Sequence, residues 1–339
     1  MRKHFLKMIN TILLIMLFSV FLTACGNDTT AYYLTEKNNL YSSEKTIHEY
    51  REKEYAAVGE KDGNVVSVFF EEEKPYCFVC QEDENGKKIY QIIDPADTNE
   101  EKTGSKYSAS LRHLQADEES FCSDNPLSFE AQCPEPDKLY LIGKDENGYV
   151  KKIYCLFPKS TEYSVINMLD KLRKQNVLDL YFTKNNTCFI RTTAHIYIYD
   201  LIFHVFQWSC YTYYYDDICH FVPATDYAYY LSKGKIYYID LNSFDGYMTH
   251  VRNDRLSDIN SPACVDDTNR IYIATNNGIM SYSPTGTLWE LLISATGKEG
   301  FQVENYTPLC LFKTSNETFY LAVKEKESGQ VKIYAYSYD

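Results

Sequence analysis

Residues 266–282 read DDTNRIYIATNNGIMSY. An apolar, β-branched and aromatic run, Ile271 to Thr275, meets Asn276-Asn277-Gly278, and a second such run follows to Tyr282. Large apolar residues flanking an Asn/Gly turn are a hairpin signal, because those turn residues accept left-handed backbone at little steric cost. The same hairpin recurs along the chain as PYCFVCQEDENGKKIYQII from residue 75, KLYLIGKDENGYVKKIYCLF from 138, CFIRTTAHIYIYDL from 188 and FYLAVKEKESGQVKIYAYS from 319. Ala31 to Thr35 with Leu40-Tyr41, and Ala228 to Ser232 with Ile236 to Tyr238, are two more copies.

The turns fall at Asn39, Gly86, Gly148, Ala194, Gly234, Gly278 and Gly329, with intervals of 47, 62, 46, 40, 44 and 51 residues. A period near 40–50 residues with about four short strands per unit is the mark of a β-propeller. Extra strands are available before some turns (Cys219 to Val222, Leu309 to Phe312) and after others (His204 to Trp208, Leu288 to Leu292). The fold class is therefore all-β, a propeller of four-stranded blades. The turn count gives seven blades, with six and a spare N-terminal hairpin as the alternative. The first unit lacks a leading strand and the last a trailing one, so pairing of N- and C-terminal strands closes the ring. Insertions are expected near 96–126, which is polar and Ser-rich, and near 160–176, where Ser164 to Gln175 reads as a short amphipathic helix.

Ahead of the repeats, Arg2, Lys3 and Lys7 precede an apolar run of eleven, Ile12 to Leu22, interrupted only by Ser19. That is too short to span a bilayer as a helix and suits the core of a secretory signal. Leu22-Thr23-Ala24-Cys25 resembles the bacterial lipobox, which implies a leader over 1–24, a lipidated Cys25, a tether over 25–30 and a propeller over 31–339. The protein is then expected on the outer face of a cell membrane, held by its lipid.

The formal charge is −13; removing the three leader cations, with no acid among residues 1–24, takes it to −16. Such a chain repels nucleic acid, and that partner class is set aside. Ten cysteines follow Cys25. Most stand in apolar alternating runs, where cysteine acts as a small buried hydrophobe; Cys122–Cys133 and Cys210–Cys219 are the pairs to test for bridges.

Few motifs carry chemistry. Cys77 and Cys80 form a CxxC, but residues three apart in a strand face opposite ways and no second CxxC completes a zinc site. The seven histidines show no metal-ligand spacing, and His195 and His220 read as strand residues. Asp216-Asp217 and Asp266-Asp267 stand at turn boundaries, where Asp caps turns, and Glu71-Glu72-Glu73 reads as a solvated loop. No metal or cofactor is called for. The most suggestive cluster is Tyr211 to Asp217: Tyr213, Tyr215, Asp216 and Asp217 form a candidate contact site for a sugar or peptide, against a competing role in blade packing.

The unit 266–282 resembles the repeat of two-component regulator propellers, in which an acidic turn, an aromatic strand, a Thr-x-x-Gly hairpin and a second aromatic strand recur. The resemblance covers one repeat of about seven and implies the fold and an extracytoplasmic sensor setting. The expected role is non-catalytic binding of a protein or glycan partner from the cell envelope. A propeller hydrolase or lyase acting on glycan or lactone, or the sensor half of a signalling pair, is the alternative, since fold alone does not choose.

Overall fold

The hairpin at 266–282 forms as read, with Ile271 opposite Tyr282 and Thr275 opposite Gly278 in antiparallel register. The computed structural model describes residues 49–97, 104–117, 127–172, 174–211, 218–223, 227–232, 235–240, 246–249, 262–282 and 290–338. Strand β1 (Arg51–Val58) comes first. A first sheet follows, β2 (Asn64–Glu71), β3 (Lys74–Glu82) and β4 (Lys88–Ile93). The helix α1 (Ser108–Asp117) then leads to a second sheet, β5 (Ser128–Glu135), β6 (Lys138–Lys144), β7 (Val150–Leu156) and β8 (Tyr163–Val165). The third is β9 (Val177–Phe182), β10 (Thr187–Thr192), β11 (His195–Asp200) and β12 (Val205–Tyr211), and the fourth β13 (Ile218–Pro223), β14 (Tyr227–Ser232), β15 (Lys235–Asp240) and β16 (Gly246–Thr249). The fifth is β17 (Ala263–Val265), β18 (Ile271–Thr275), β19 (Gly278–Tyr282) and β20 (Glu290–Ser294). The sixth begins with β21 (Tyr306–Lys313), β22 (Phe319–Glu325) and β23 (Val331–Ser337), and takes β1 as its outer strand.

Strands β2, β5, β9, β13, β17 and β21 pack in that order around an axis, and β21 returns to β2. They are the inner strands of the propeller. The side on which they begin is called here the entry side, and the other the exit side. The hairpin turns at Gly86, Gly148, Ala194, Gly278 and Gly329 all join the second strand of a sheet to its third, on the entry side.

Two expectations are corrected. The described residues form five four-stranded blades and one three-stranded sheet, not seven four-stranded blades or six. The first turn in the count, Asn39, lies outside the described residues. The first sheet is short because α1 stands where a fourth strand would. Its Gln115 side chain gives an oxygen to the Tyr90 N–H (2.7 Å) and donates its amide to the Tyr90 carbonyl (2.8 Å), so one carboxamide replaces a rung of the ladder. Tyr107, Leu111 and Leu114 seal the same edge by burial against Phe78, Tyr90 and Ile92. An uncovered strand edge would otherwise be a template for aggregation. The helix read over Ser164–Gln175 is also corrected: Tyr163–Val165 is the outer strand β8, and only Met168–Leu172 turns, as a short 3-10 segment whose Met168 and Leu172 are buried.

The ring closes through the first and last described strands, β1 and β23. Arg51 lies opposite Ser337 and Val58 opposite Val331, antiparallel. Glu52 fastens the joint, accepting from Glu299 N (2.6 Å), Gly300 N (3.1 Å) and the Tyr336 hydroxyl (2.7 Å).

The chain carries 32 tyrosines, and many of the described ones go into the core. Tyr90, Tyr107, Tyr154, Tyr199, Tyr229, Tyr334 and Tyr336 are all fully buried. Burying a tyrosine requires a partner for its hydroxyl, and the seams supply them: Tyr229 donates to the Asn269 carbonyl of the next blade, and Tyr90 to the Leu127 carbonyl at 3.2 Å. Stacked rings join neighbours at the Phe70–Phe312 (4.0 Å) and Tyr140–Phe182 (3.8 Å) seams. Each such pair contributes about 0.5–1.5 kcal/mol beyond its area. Between β5 and β9, Gln132 bonds Leu180 O (2.8 Å) and Phe182 N (3.2 Å). Lys144 bridges Glu130 (3.0 Å) and Asp179 (3.1 Å), and Arg191 also pairs with Asp179. Burial opposes the Asp179 charge, but the two cations outweigh it and hold its carboxyl below the usual range.

A candidate ligand cavity at the first seam

A cavity of about 640 Å³ opens on the entry side where the first sheet meets the second. Its lining comes from the loop before β2 and the start of that strand (Lys61, Gly63, Asn64, Val66), the end of β3 (Cys80, Gln81, Glu82), the start of β4 (Lys88, Tyr90) and the first residue of β5, Ser128. Its volume falls in the range of ligand pockets, roughly 300–1,000 Å³.

Local sequence builds each wall. The β3–β4 turn is pinned by Asp83, whose carboxylate accepts from Asn85 N and Lys87 N, both at 2.8 Å, while Gly86 takes φ +76°. That fixes the register so that Glu82 stands opposite Lys88 and Cys80 opposite Tyr90. Gly63, at φ +103°, lets the incoming loop approach β3. A Cβ there would lie 2.6 Å from Gln81 Cγ and 3.0 Å from the Cys80 carbonyl. Lys61 rides on a 3-10 turn closed by Asp62 N–H to Gly59 O (3.0 Å) and Gly59 N–H to the Asp62 carboxylate (3.2 Å). Tyr90, stacked on Phe78 (5.2 Å) and edge-on to Phe129 (5.5 Å), is a fixed floor.

The lining mixes charged, polar and apolar groups. Two lysines face one glutamate in a chain whose net charge is −13, and Lys324 donates to Asn64 at 3.4 Å at the margin. Asn64, Gln81 and Ser128 offer hydrogen bonds, while Val66 and Cys80 offer an apolar surface. Burial pushes the Cys80 thiol above its ordinary value, so the thiolate needed for nucleophilic attack is suppressed.

A smaller cavity of about 230 Å³ lies on the exit side, lined among others by Cys133, Phe182, Lys184, Asp266, Asp267 and Phe312. Asp266 is a turn cap, as read: its carboxylate takes Thr268 N (2.9 Å), Arg270 N (3.1 Å) and the Tyr272 hydroxyl (2.6 Å). Asp267 is exposed and pairs with Lys184 at 3.4 Å.

The candidate contact residues Tyr213, Tyr215, Asp216 and Asp217 and the candidate lipidation residue Cys25 lie outside the described residues. Cys77 and Cys80 face opposite ways, Cys77 into the seam with the sixth sheet and Cys80 toward the second. Cys133 is a free thiol, so Cys122–Cys133 is not a bridge, and its pKa is pushed up to about 12 by burial. Cys210–Cys219 and the His220 ring fall outside the described side chains; His195 packs beside Tyr197, ring centroids 5.5 Å apart. Glu71 is a correction. It is 4% exposed, accepts from Ser105 Oγ (3.1 Å), and lies 3.5 Å from Lys106, with its pKa raised by burial against those partners. It ties the insertion to the first blade rather than standing in solvent. None of the large cavity's residues apart from Cys80 was singled out from sequence; Lys61, Gly63 and Lys88 carry no local motif, and only the seam brings them together.

No family model matches the chain, and no curated protein matches it. Among solved structures, the extracellular domain of a putative one-component system from B. thetaiotaomicron is similar, at 9% identity and a TM-score of 0.43, over 84% of this chain. The chain spans 40% of that structure's length. Among the described residues, no helix is long and apolar enough to cross a membrane.

Proposed function

We propose that this protein is a lipid-anchored, extracytoplasmic binding propeller that holds an anionic envelope ligand, a carboxylate-bearing glycan or peptide, in the cavity at its first seam, without turnover. The observation that carries the reading is the 640 Å³ cavity, with Lys61 and Lys88 at its wall in an otherwise acidic chain. A lysine–carboxylate hydrogen bond contributes about 1.5–3 kcal/mol, or roughly tenfold or more in affinity. Reversing both charges, Lys61→Glu with Lys88→Glu, is expected to abolish capture of uronic-acid oligosaccharides or acidic peptides on an array while leaving the melting temperature unchanged. Undiminished capture by the double variant removes the cavity from the reading, and release of cleaved product from a bound glycan replaces it with the enzyme reading.

Anchoring is supported by the basic start, the apolar run and the lipobox-like Leu22 to Cys25. Two or more acyl chains, at ~0.8 kcal/mol per buried CH₂, hold a protein at a membrane where one barely does. Cys25→Ser is expected to accumulate as an uncleaved precursor that takes up no labelled fatty acid in cells; ordinary labelling of that variant rules out Cys25 as the lipid site.

A further inference from the structure

The β11–β12 turn displays apolar side chains to solvent. Ile202 is 61% exposed, Phe203 74% and Val205 49%, three of the five large exposed hydrophobics among the described residues. Isolated exposed hydrophobics need no explanation, whereas a contiguous cluster marks a contact.

The turn is built to hold them there. The Asp200 carboxylate accepts from Ile202 N (2.8 Å), Phe203 N (2.9 Å) and Gln207 Nε2 (2.9 Å). Leu201 N–H reaches the Asn186 carbonyl at 2.8 Å, and Lys171 Nζ donates to the His204 carbonyl. His204 takes the left-handed φ of +55° that lets the chain reverse. The backbone polar groups are thus engaged while the two largest side chains project outward, so little ordering remains to oppose a contact.

Its position points to what it contacts. Asn186 belongs to the β9–β10 turn, so the apolar tip stands on the exit side of the third blade. The chain enters β1 on the exit side of the sixth: the Tyr50 ring is 6.0 Å from Phe319, which follows the β21–β22 turn. Around six inner strands the third and sixth positions are opposite, so tip and entry point occupy opposite edges of one side. Lys171 donates to the tip's own backbone, Lys138 reaches Asn186 Oδ1 in the adjacent turn at 2.7 Å, and Lys184 of that turn is paired with Asp267. The positive charge of Lys171, at the tip's own backbone, complements lipid phosphate.

We infer that the Ile202–Phe203 turn seats in the bilayer surface as a second contact beside the lipid anchor, laying the exit side against the membrane and leaving the entry-side cavity open to the exterior. The inference rests on the anchoring reading above. Aromatic and aliphatic side chains at the headgroup boundary, flanked by cations, are the usual elements of such contacts.

The test uses the full lipidated chain reconstituted in vesicles of phosphatidylcholine and phosphatidylglycerol, as Phe203→Trp, with fatty-acid labelling read on the same sample. Brominated phosphatidylcholine is expected to quench the introduced tryptophan several-fold more than the Trp208 and Trp289 signal of the parent chain. Labelled protein whose quenching equals that of the parent overturns the bilayer contact alone and leaves the anchor standing, which is also the result if the tip docks a protein. Unlabelled protein overturns the anchor and this proposal together.

Discussion

Gly278→Ala is expected to unfold the fifth blade. Gly278 sits at φ +124°, and a Cβ built on it would lie 1.7 Å from the Ile293 carbonyl oxygen and 2.8 Å from Ala295 N. Both obstacles are backbone atoms of the outer strand and its exit, held by the Gly278–Ser294 pairing and the Ala295 N–H to Asn277 O bond (2.8 Å). A flexible side chain could swing aside, but a paired strand has to detach. Left-handed strain alone costs about 1–2 kcal/mol; with the strand displaced, the loss is on the order of 4 kcal/mol or more, the range reached when backbone and packing fail together. Gly148→Ala is the control: its φ is +79°, yet nothing lies within 4 Å of the added carbon, so it bears the strain alone. Denaturant melts of the two variants separate the contributions, and equal losses would show that the β20 contact is not limiting.

Removing residues 330–339 is expected to leave no cooperative fold. Strand β23 is the middle of the closing blade, paired with β22 on one edge and β1 on the other. Val331, Ile333, Tyr334 and Tyr336 are each at most 1% exposed and belong to two separate cores. At about 1.5–3 kcal/mol per buried side chain, the direct loss approaches the whole margin of a typical domain, ~5–15 kcal/mol. Glu52 also loses the hydroxyl of Tyr336. Circular dichroism of the truncated chain should show no sharp thermal transition; a melt matching that of the intact chain means the ring does not depend on this strand.

Much of this architecture was legible because hairpin turns advertise themselves. Gly86, Gly148, Gly278 and Gly329 all take positive φ, and a residue needed for its backbone freedom is visible without its neighbours. The blade count went astray for the converse reason. The turn spacing says nothing of whether a fourth strand accompanies each hairpin, and the first sheet completes its edge with a side chain, Gln115, that looks like any helical glutamine. The periodicity of Ser164–Gln175 was real, since Met168 and Leu172 are buried, but the same apolar spacing serves a strand followed by one tight turn. Glu71 was misread because charge patterns report solvation only where no partner arrives from elsewhere in the chain, and Lys106 is such a partner. The cavity is invisible in sequence on similar grounds: Lys61, Lys88 and Ser128 belong to separate segments, and a seam between sheets has no linear signature.

The pairing of β1 with β23 has a consequence for how the molecule is made. Of the described strands, the first to leave the ribosome or a translocation pore finds its partner only when the last one follows, some 270 residues later. Contacts so distant in sequence form slowly, because a long loop must close before they stabilise anything. Until then β1 travels as an unpaired strand, and the sheets built in the meantime form an open arc with an unsealed gap between its ends. Completion of the ring therefore waits for the last described strand, and a chain halted short of β23 stays open and recognisable to proteases.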